Sequence, residues 1–114
     1  MVKRFPDQES FPVEVQILRW PHPYPLPESE VLRFFQASGL APMRWSNGPG
    51  DVYGIHSHAY RKTLFCLKGS ITFSLPDYSQ DLELCTGDRL ILPAGILHGA
   101  LVGPEGVTCI EAGE

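Results

Sequence analysis

From Met43 to the end, the chain alternates between short apolar segments and short turns, and this pattern constrains the fold more than any other feature. Eight segments can be interpreted as strands, beginning with MRWSN and ending with VTCIE. Turns rich in glycine and proline, such as NGPG, TGD, PAG and GPEG, separate many of them. Short strands at near-even spacing are typical of a sandwich or barrel. The sequence therefore predicts an all-β fold.

The composition favours one small domain and argues against several kinds of partner. The 11 glycines and 11 prolines among 114 residues exceed the roughly 12% of average usage, as expected for many turns. The net charge is −4 and no basic cluster is longer than two residues, so we expect no nucleic-acid partner. No apolar run reaches the roughly 18 residues of a membrane span, and no signal region is evident. We expect a soluble, cytoplasmic protein with no membrane partner.

The first 40 residues differ from the rest of the chain. PVEVQILRW, residues 12–20, has the alternating pattern of a strand, and PHPYPLP, with proline at every second position, predicts an extended surface segment. PESEVLRFFQASGLAP, residues 27–42, is the one convincing helix, with Gly39 and Pro42 as stop signals. We expect residues 1–40 to form an N-terminal strand, proline arm and short helix, and residues 41–114 a β-barrel, as one domain.

Two histidines stand one residue apart in a strand-like stretch, and they are the first indication of a site. His56 and His58 share one face if the strand continues through them, because successive side chains point to opposite faces. A metal ion held there needs a third donor from another strand, and His98 is the remaining candidate. It follows a Pro-Ala-Gly turn in which Gly95 can adopt a positive φ, so its direction is well defined.

The stretches around these histidines resemble the two signature motifs of the cupin superfamily. The matching residues are Gly50, His56, His58 and Gly69 in the first motif and Gly87, Pro93, Gly95 and His98 in the second. The resemblance implies a double-stranded β-helix, also called a jelly-roll barrel. It further implies a divalent transition metal, Fe, Mn, Ni, Zn or Cu, held by the three histidines. Cupins include dioxygenases, isomerases and sugar-modifying enzymes.

The chain departs from the first motif where cupins have a metal-binding glutamate. Lys62 stands at that position, or Thr63 if the alternative count is taken. A charged lysine about 4 Å from a divalent ion would be repelled by roughly 8 kcal/mol at an effective dielectric constant of 20. Three alternatives remain open. The lysine turns away or loses its proton, it stays charged and pairs with an anionic substrate, or the cavity holds no metal. In the second motif, Val102 replaces an asparagine.

Four further residues are candidates for contact with a substrate. Lys62 and Cys66 share one face of their predicted strand, whereas Tyr60 and Arg44 lie where a ligand could meet the mouth of the barrel. We therefore predict a metal-binding cupin barrel with a three-histidine site, acting as an oxygenase or isomerase on a small, anionic molecule. The alternative is a metal-free or non-catalytic barrel that binds a small molecule. A homodimer is expected because exposed edge strands in so small a chain need covering.

Overall fold

The computed structural model describes residues 15–114. Seven strands and one α-helix make up this part of the chain. In chain order they are β1 (Gln16–Leu18), α1 (Glu28–Ala37), β2 (Met43–Asn47), β3 (Val52–His56), β4 (Lys62–Leu75), β5 (Gln80–Cys85), β6 (Arg89–Leu92) and β7 (His98–Gly113). All strand pairs are antiparallel. The predicted all-β class with one short helix is confirmed.

The two long strands, β4 and β7, each take part in two halves of the sheet. Residues 62–65 of β4 lie between β6 and the end of β7, and residues 70–75 lie between β5 and the start of β7. The end of β7 pairs with β2, and its start pairs with β3. One half therefore has the order β1-β6-β4-β7-β2, and the other has the order β5-β4-β7-β3.

The bend in β4 is made at Gly69, next to two shifts of register between β4 and β7. Gly69 has a φ of +74°, and a Cβ atom built on it would lie 1.9 Å from the carbonyl oxygen of Gly106 on β7. Only glycine permits this approach. The predicted strands KTLFCLK and SITFSL are therefore one continuous strand, β4, bent at Gly69. In the same way, HGALV and VTCIE are both part of β7. Eight predicted strands after Met43 thus become six.

The main core lies between the two halves of the sheet. Both long strands contribute to it, with Leu64, Ile71 and Phe73 from β4 and Val102 and Cys109 from β7, all of them buried. Side chains from one folded sheet thus face one another across a closed interior, which is the arrangement of a double-stranded β-helix.

The helix covers the outer face of the barrel. Val31 and Phe35 are buried against Phe65 and Ile110, which gives α1 an apolar side toward the sheet. The predicted helix is confirmed and ends at Ala37, shortly before the predicted stop residues Gly39 and Pro42. The proline segment joins no strand, as expected. The predicted N-terminal strand is present as the three residues of β1, whereas residues 12–14 lie outside the described part of the chain.

Asp88 ties the segment after β1 to the barrel. Its buried carboxylate accepts hydrogen bonds from the backbone N–H groups of Trp20 (3.0 Å) and Cys85 (2.9 Å). It also forms an ion pair with Arg19 at 2.7 Å.

Within residues 15–114, no helix has the length and apolarity needed to cross a bilayer.

Candidate metal centre

The structure brings the three predicted histidines together at one end of the barrel. His56 is the last residue of β3 and lies opposite His98, the first residue of β7. Their ring centroids are 4.4 Å apart. His58 lies two residues beyond the end of β3, so the strand does not continue through both histidines. Its ring centroid is 4.8 Å from that of His56 and 5.2 Å from that of His98. One potential ligand atom from each ring lies within 4.8 Å of the others.

Backbone carbonyl groups orient two of these rings. Nδ1 of His56 is 2.7 Å from the carbonyl oxygen of Gly54, and Nδ1 of His98 is 2.9 Å from that of Ile96. A carbonyl oxygen can only accept a hydrogen bond, so Nδ1 carries the proton in each ring. Nε2 is then left with a free lone pair, which is the tautomer that binds a metal ion.

The Nε2 atoms of His58 and His98 are buried and have no hydrogen-bond partner among residues 15–114. Burial is also the main reason that the pKa of each ring lies below the ordinary value for histidine. For His58 the Lys62 ammonium group lowers the pKa further, and for His98 the neighbouring His56 does so. Neutral imidazoles with unused lone pairs are suitable ligands for a divalent transition metal. Metal–nitrogen distances near 2.1 Å place two ligands at most about 4.2 Å apart, so binding would draw the rings closer.

The histidines line a cavity of about 260 Å³ that also holds a largely buried ion pair. Nζ of Lys62 is 3.5 Å from Oε1 of Glu111, and their side chains are only 12% and 16% exposed. Trp45 donates an Nε1–H hydrogen bond of 3.0 Å to the same oxygen. The other walls are mainly apolar and comprise Met43, Tyr53, Leu64, Phe73 and Ala100.

This ion pair bears on the three alternatives left open for Lys62. The side chain lines the cavity, so Lys62 rather than Thr63 occupies the inward position. Its partner is a carboxylate of the chain itself. Glu111 makes the pair neutral overall, which removes most of the repulsion that a lone lysine would exert on a cation. The neighbouring strand β7 thus supplies the carboxylate that faces Lys62 in the cavity.

Sequence reasoning missed Glu111, although a signal for it was present. Val107, Cys109 and Glu111 alternate along β7, and the first two are buried in the main core. The same parity points Glu111 inward. Tyr53 also lines the cavity, and its hydroxyl donates a hydrogen bond to Asn47.

The other candidate residues have different positions. The exposed ring of Tyr60 stacks on His58 with centroids 4.9 Å apart, but Tyr60 does not itself line the cavity. Arg44 instead pairs with Glu28 of the helix, at 3.2 Å, and does not line the cavity. Cys66 is fully buried in the main core, where its thiol contacts the carbonyl oxygen of Lys68 at 3.5 Å. Neither Arg44 nor Cys66 is therefore in contact with this cavity.

The three cysteines are free thiols, and two of them are buried. Cys66 and Cys109 are register partners on β4 and β7 and lie inside the core. Their mutual hydrogen bond, together with burial, raises the pKa of the Cys109 thiol. Cys85, by contrast, is exposed.

No protein-family model and no curated protein matches this sequence, but solved structures resemble its fold. The polyketide cyclase RemF from Streptomyces resistomycificus aligns at 24% identity and a TM-score of 0.59 over 65% of this chain and 54% of its own. A conserved Klebsiella pneumoniae protein with a double-stranded β-helix domain aligns at 24% identity and a TM-score of 0.57 over 65% of each chain. A cupin-2 domain protein from Shewanella frigidimarina aligns at 16% identity and a TM-score of 0.55, over 64% of this chain and 68% of its own. At such identities the likeness establishes the fold alone.

Proposed function

We propose that this protein, whose barrel has the cupin fold, binds one divalent transition-metal ion through His56, His58 and His98 and accepts a small molecule beside it. The ion would be Fe, Mn, Ni, Zn or Cu. The observation that carries the proposal is the pair of buried Nε2 atoms without hydrogen-bond partners. Leaving such atoms unsatisfied costs about 1–3 kcal/mol each, and a shared ion would satisfy both.

The activity that best fits this site is that of a metal-dependent oxygenase or isomerase. When bound, an ion with three histidine ligands offers open coordination positions and acts as a Lewis acid or binds dioxygen. The chain's own residues hold the substrate. Apolar walls such as Leu64 and Phe73 exclude water, and Lys62 has N–H donors beyond the one directed at Glu111, which suit an anionic group. The substrate is accordingly a small, anionic molecule.

A non-catalytic or metal-free binding barrel is the second candidate. Lysine at the position of the motif glutamate favours it, because the ion would lack its usual acidic ligand. In that case the three imidazoles and the Lys62–Glu111 pair would serve as hydrogen-bonding groups for the ligand. The solved structures of similar fold include both an enzyme and proteins described only by their domain.

Metal analysis of His98→Ala distinguishes the two candidates. The unmodified protein is expected to bind close to one Fe, Mn, Zn, Ni or Cu ion per chain, as isolated or after loading, measured by elemental analysis and calorimetry. His98→Ala removes one of three ligands and should weaken binding by roughly tenfold or more. The control is His22→Ala, since His22 is exposed and lies outside the cavity. A protein that cannot be loaded, or equal binding by His98→Ala, would favour the second candidate.

We also propose that the protein is a homodimer that pairs through the outer face of β3 and the start of β7. Three apolar side chains are exposed there: Val52 (71%), Ile55 (56%) and Leu101 (53%). They line a groove of about 440 Å³ whose walls include Gly54 and Gly99. An apolar sheet face beside an edge strand is readily covered by the same face of a second copy.

A further inference from the structure

A second cavity lies outside the barrel, on the opposite side of the sheet from the histidines. Its volume is about 310 Å³, and it is bordered by β1, the segment after it, the helix and the outer face of β4 and β6. Leu64 lines the inner cavity, whereas its neighbour Phe65 lines this one. The two cavities are therefore separated by the thickness of the sheet. The residues that matter here are Trp20, Glu30, Phe34, Phe65 and Arg89.

Arg89 is the distinctive residue of this outer cavity. It begins β6, and because Leu90 is buried in the barrel core, Arg89 points to the outer face. Its guanidinium carbon lies 5.0 Å from the ring centroid of Phe34 and 5.4 Å from that of Phe65. Partial burial lowers the pKa of Arg89, but an arginine remains charged at neutral pH.

Arg89 has no counter-ion within residues 15–114. Four other basic side chains in that range form ion pairs: Arg19, Arg44, Arg61 and Lys62. Arg19 lines the same cavity, but Asp88 neutralises it. The remaining acid in the cavity wall is Glu30, which forms no ion pair with Arg89. The outer cavity thus combines aromatic walls with one unneutralised guanidinium group.

We propose that this outer cavity is a second ligand site and that its ligand is a small aromatic carboxylate. A guanidinium group presents N–H donors in a fork that matches the two oxygens of a carboxylate. Phe34, Phe65 and Trp20 supply apolar contact for a ring. Because the sheet separates the site from the histidines, its ligand does not compete for the metal centre, and the proposal does not depend on the function proposed above.

The two tryptophans of the chain make the two cavities separately observable. Trp20 lines the outer cavity and Trp45 the inner one. In Trp45→Phe, the remaining fluorescence reports on the outer cavity. The probe is 3-phenylpropionate, and its neutral counterpart is 3-phenylpropan-1-ol. We expect saturable quenching or a spectral shift with the acid and a response at least about tenfold weaker with the alcohol, as for the loss of one charge-assisted hydrogen bond.

Variants of the same protein test whether Arg89 is responsible. Arg89→Met keeps most of the apolar stem of the side chain but removes the guanidinium group, and it should weaken binding of 3-phenylpropionate by about tenfold or more. Arg33→Met, on the exposed part of the helix, is the matched control and should bind normally. Glu30→Gln removes the acid from the wall without disturbing the core, and should tighten binding severalfold, because the carboxylate no longer meets a like charge.

Four results would overturn the proposal. These are equal binding of the acid and the alcohol, normal binding by Arg89→Met, no gain with Glu30→Gln, and loss of binding in His98→Ala. The last would place the probe in the inner cavity. If Arg89→Met does not fold, as judged by circular dichroism, Glu30→Gln decides the matter alone, since Glu30 is exposed.

Discussion

At the scale of single residues, the site depends on polar atoms whose partners come from other strands. Glu111 on β7 accepts a hydrogen bond from Trp45 on β2 and forms an ion pair with Lys62 on β4. Each of these groups would be costly to bury alone, whereas together they are largely satisfied. The neutral pair leaves the imidazoles beside it free to act as uncharged ligands.

Glu111→Gln should remove the ion pair with Lys62 and thereby weaken metal binding at the histidines. The amide keeps the shape of the side chain but leaves the charge of Lys62 unpaired near the histidines, so affinity for Zn²⁺ should fall by roughly tenfold or more. Calorimetric titration of the metal-free protein measures the change. Glu114→Gln is the control, because Glu114 pairs with Arg61 at the exposed chain end. Unchanged affinity in Glu111→Gln would show that the ion pair does not influence the metal centre.

At the scale of elements, β4 and β7 determine how the barrel closes. Each strand contributes to both halves of the sheet, and their backbones come very close together where Gly69 of β4 faces Gly106 of β7. Gly95 has the positive φ expected at the end of its turn, +82°, and its N–H bonds the carbonyl oxygen of His58 at 2.8 Å. That bond links the loop that carries His58 to the turn that precedes His98.

Gly69→Ala should destabilise the fold strongly. The new methyl group would lie 1.9 Å from a carbonyl oxygen, at a backbone φ that disfavours alanine, so we expect a loss of about 2 kcal/mol or more in the free energy of unfolding. Urea denaturation measures it. Gly54→Ala is the matched control, because its added Cβ meets nothing within 4 Å and its φ is not positive. An equal loss of stability in the two variants would contradict the importance of the close approach between Gly69 and Gly106.

At the scale of the whole molecule, the two faces of one sheet carry different chemistry. The inner face holds the histidines and the Lys62–Glu111 pair, and the outer face near the helix holds Arg89 against two aromatic rings. A third surface, made by β3 and the start of β7, is apolar and exposed. The proposed dimer assigns that surface to a second copy.

Ile55→Lys should convert the proposed dimer to a monomer. A lysine in the centre of an apolar contact places two like charges close together across a two-fold axis. Light scattering after gel filtration should show twice the chain mass, 12.7 kDa, for the unmodified protein, and the single mass for the variant. Tyr60→Lys, outside this groove, should remain dimeric. A monomeric unmodified protein at micromolar concentration would refute the assignment.

The sequence alone determined the fold class, the position of the helix and the turns that present the histidines. These features depend on local patterns, namely alternation, glycine and proline at turns, and the spacing of His56, His58 and His98. Only the tertiary structure decided that Glu111 faces Lys62 and that four predicted strands form the two long strands β4 and β7. It also decided that Arg89 lies beside Phe34 with no ion-pair partner in the described part of the chain. Such contacts join residues far apart in the chain, and they follow from strand register and sheet closure, which no local pattern encodes.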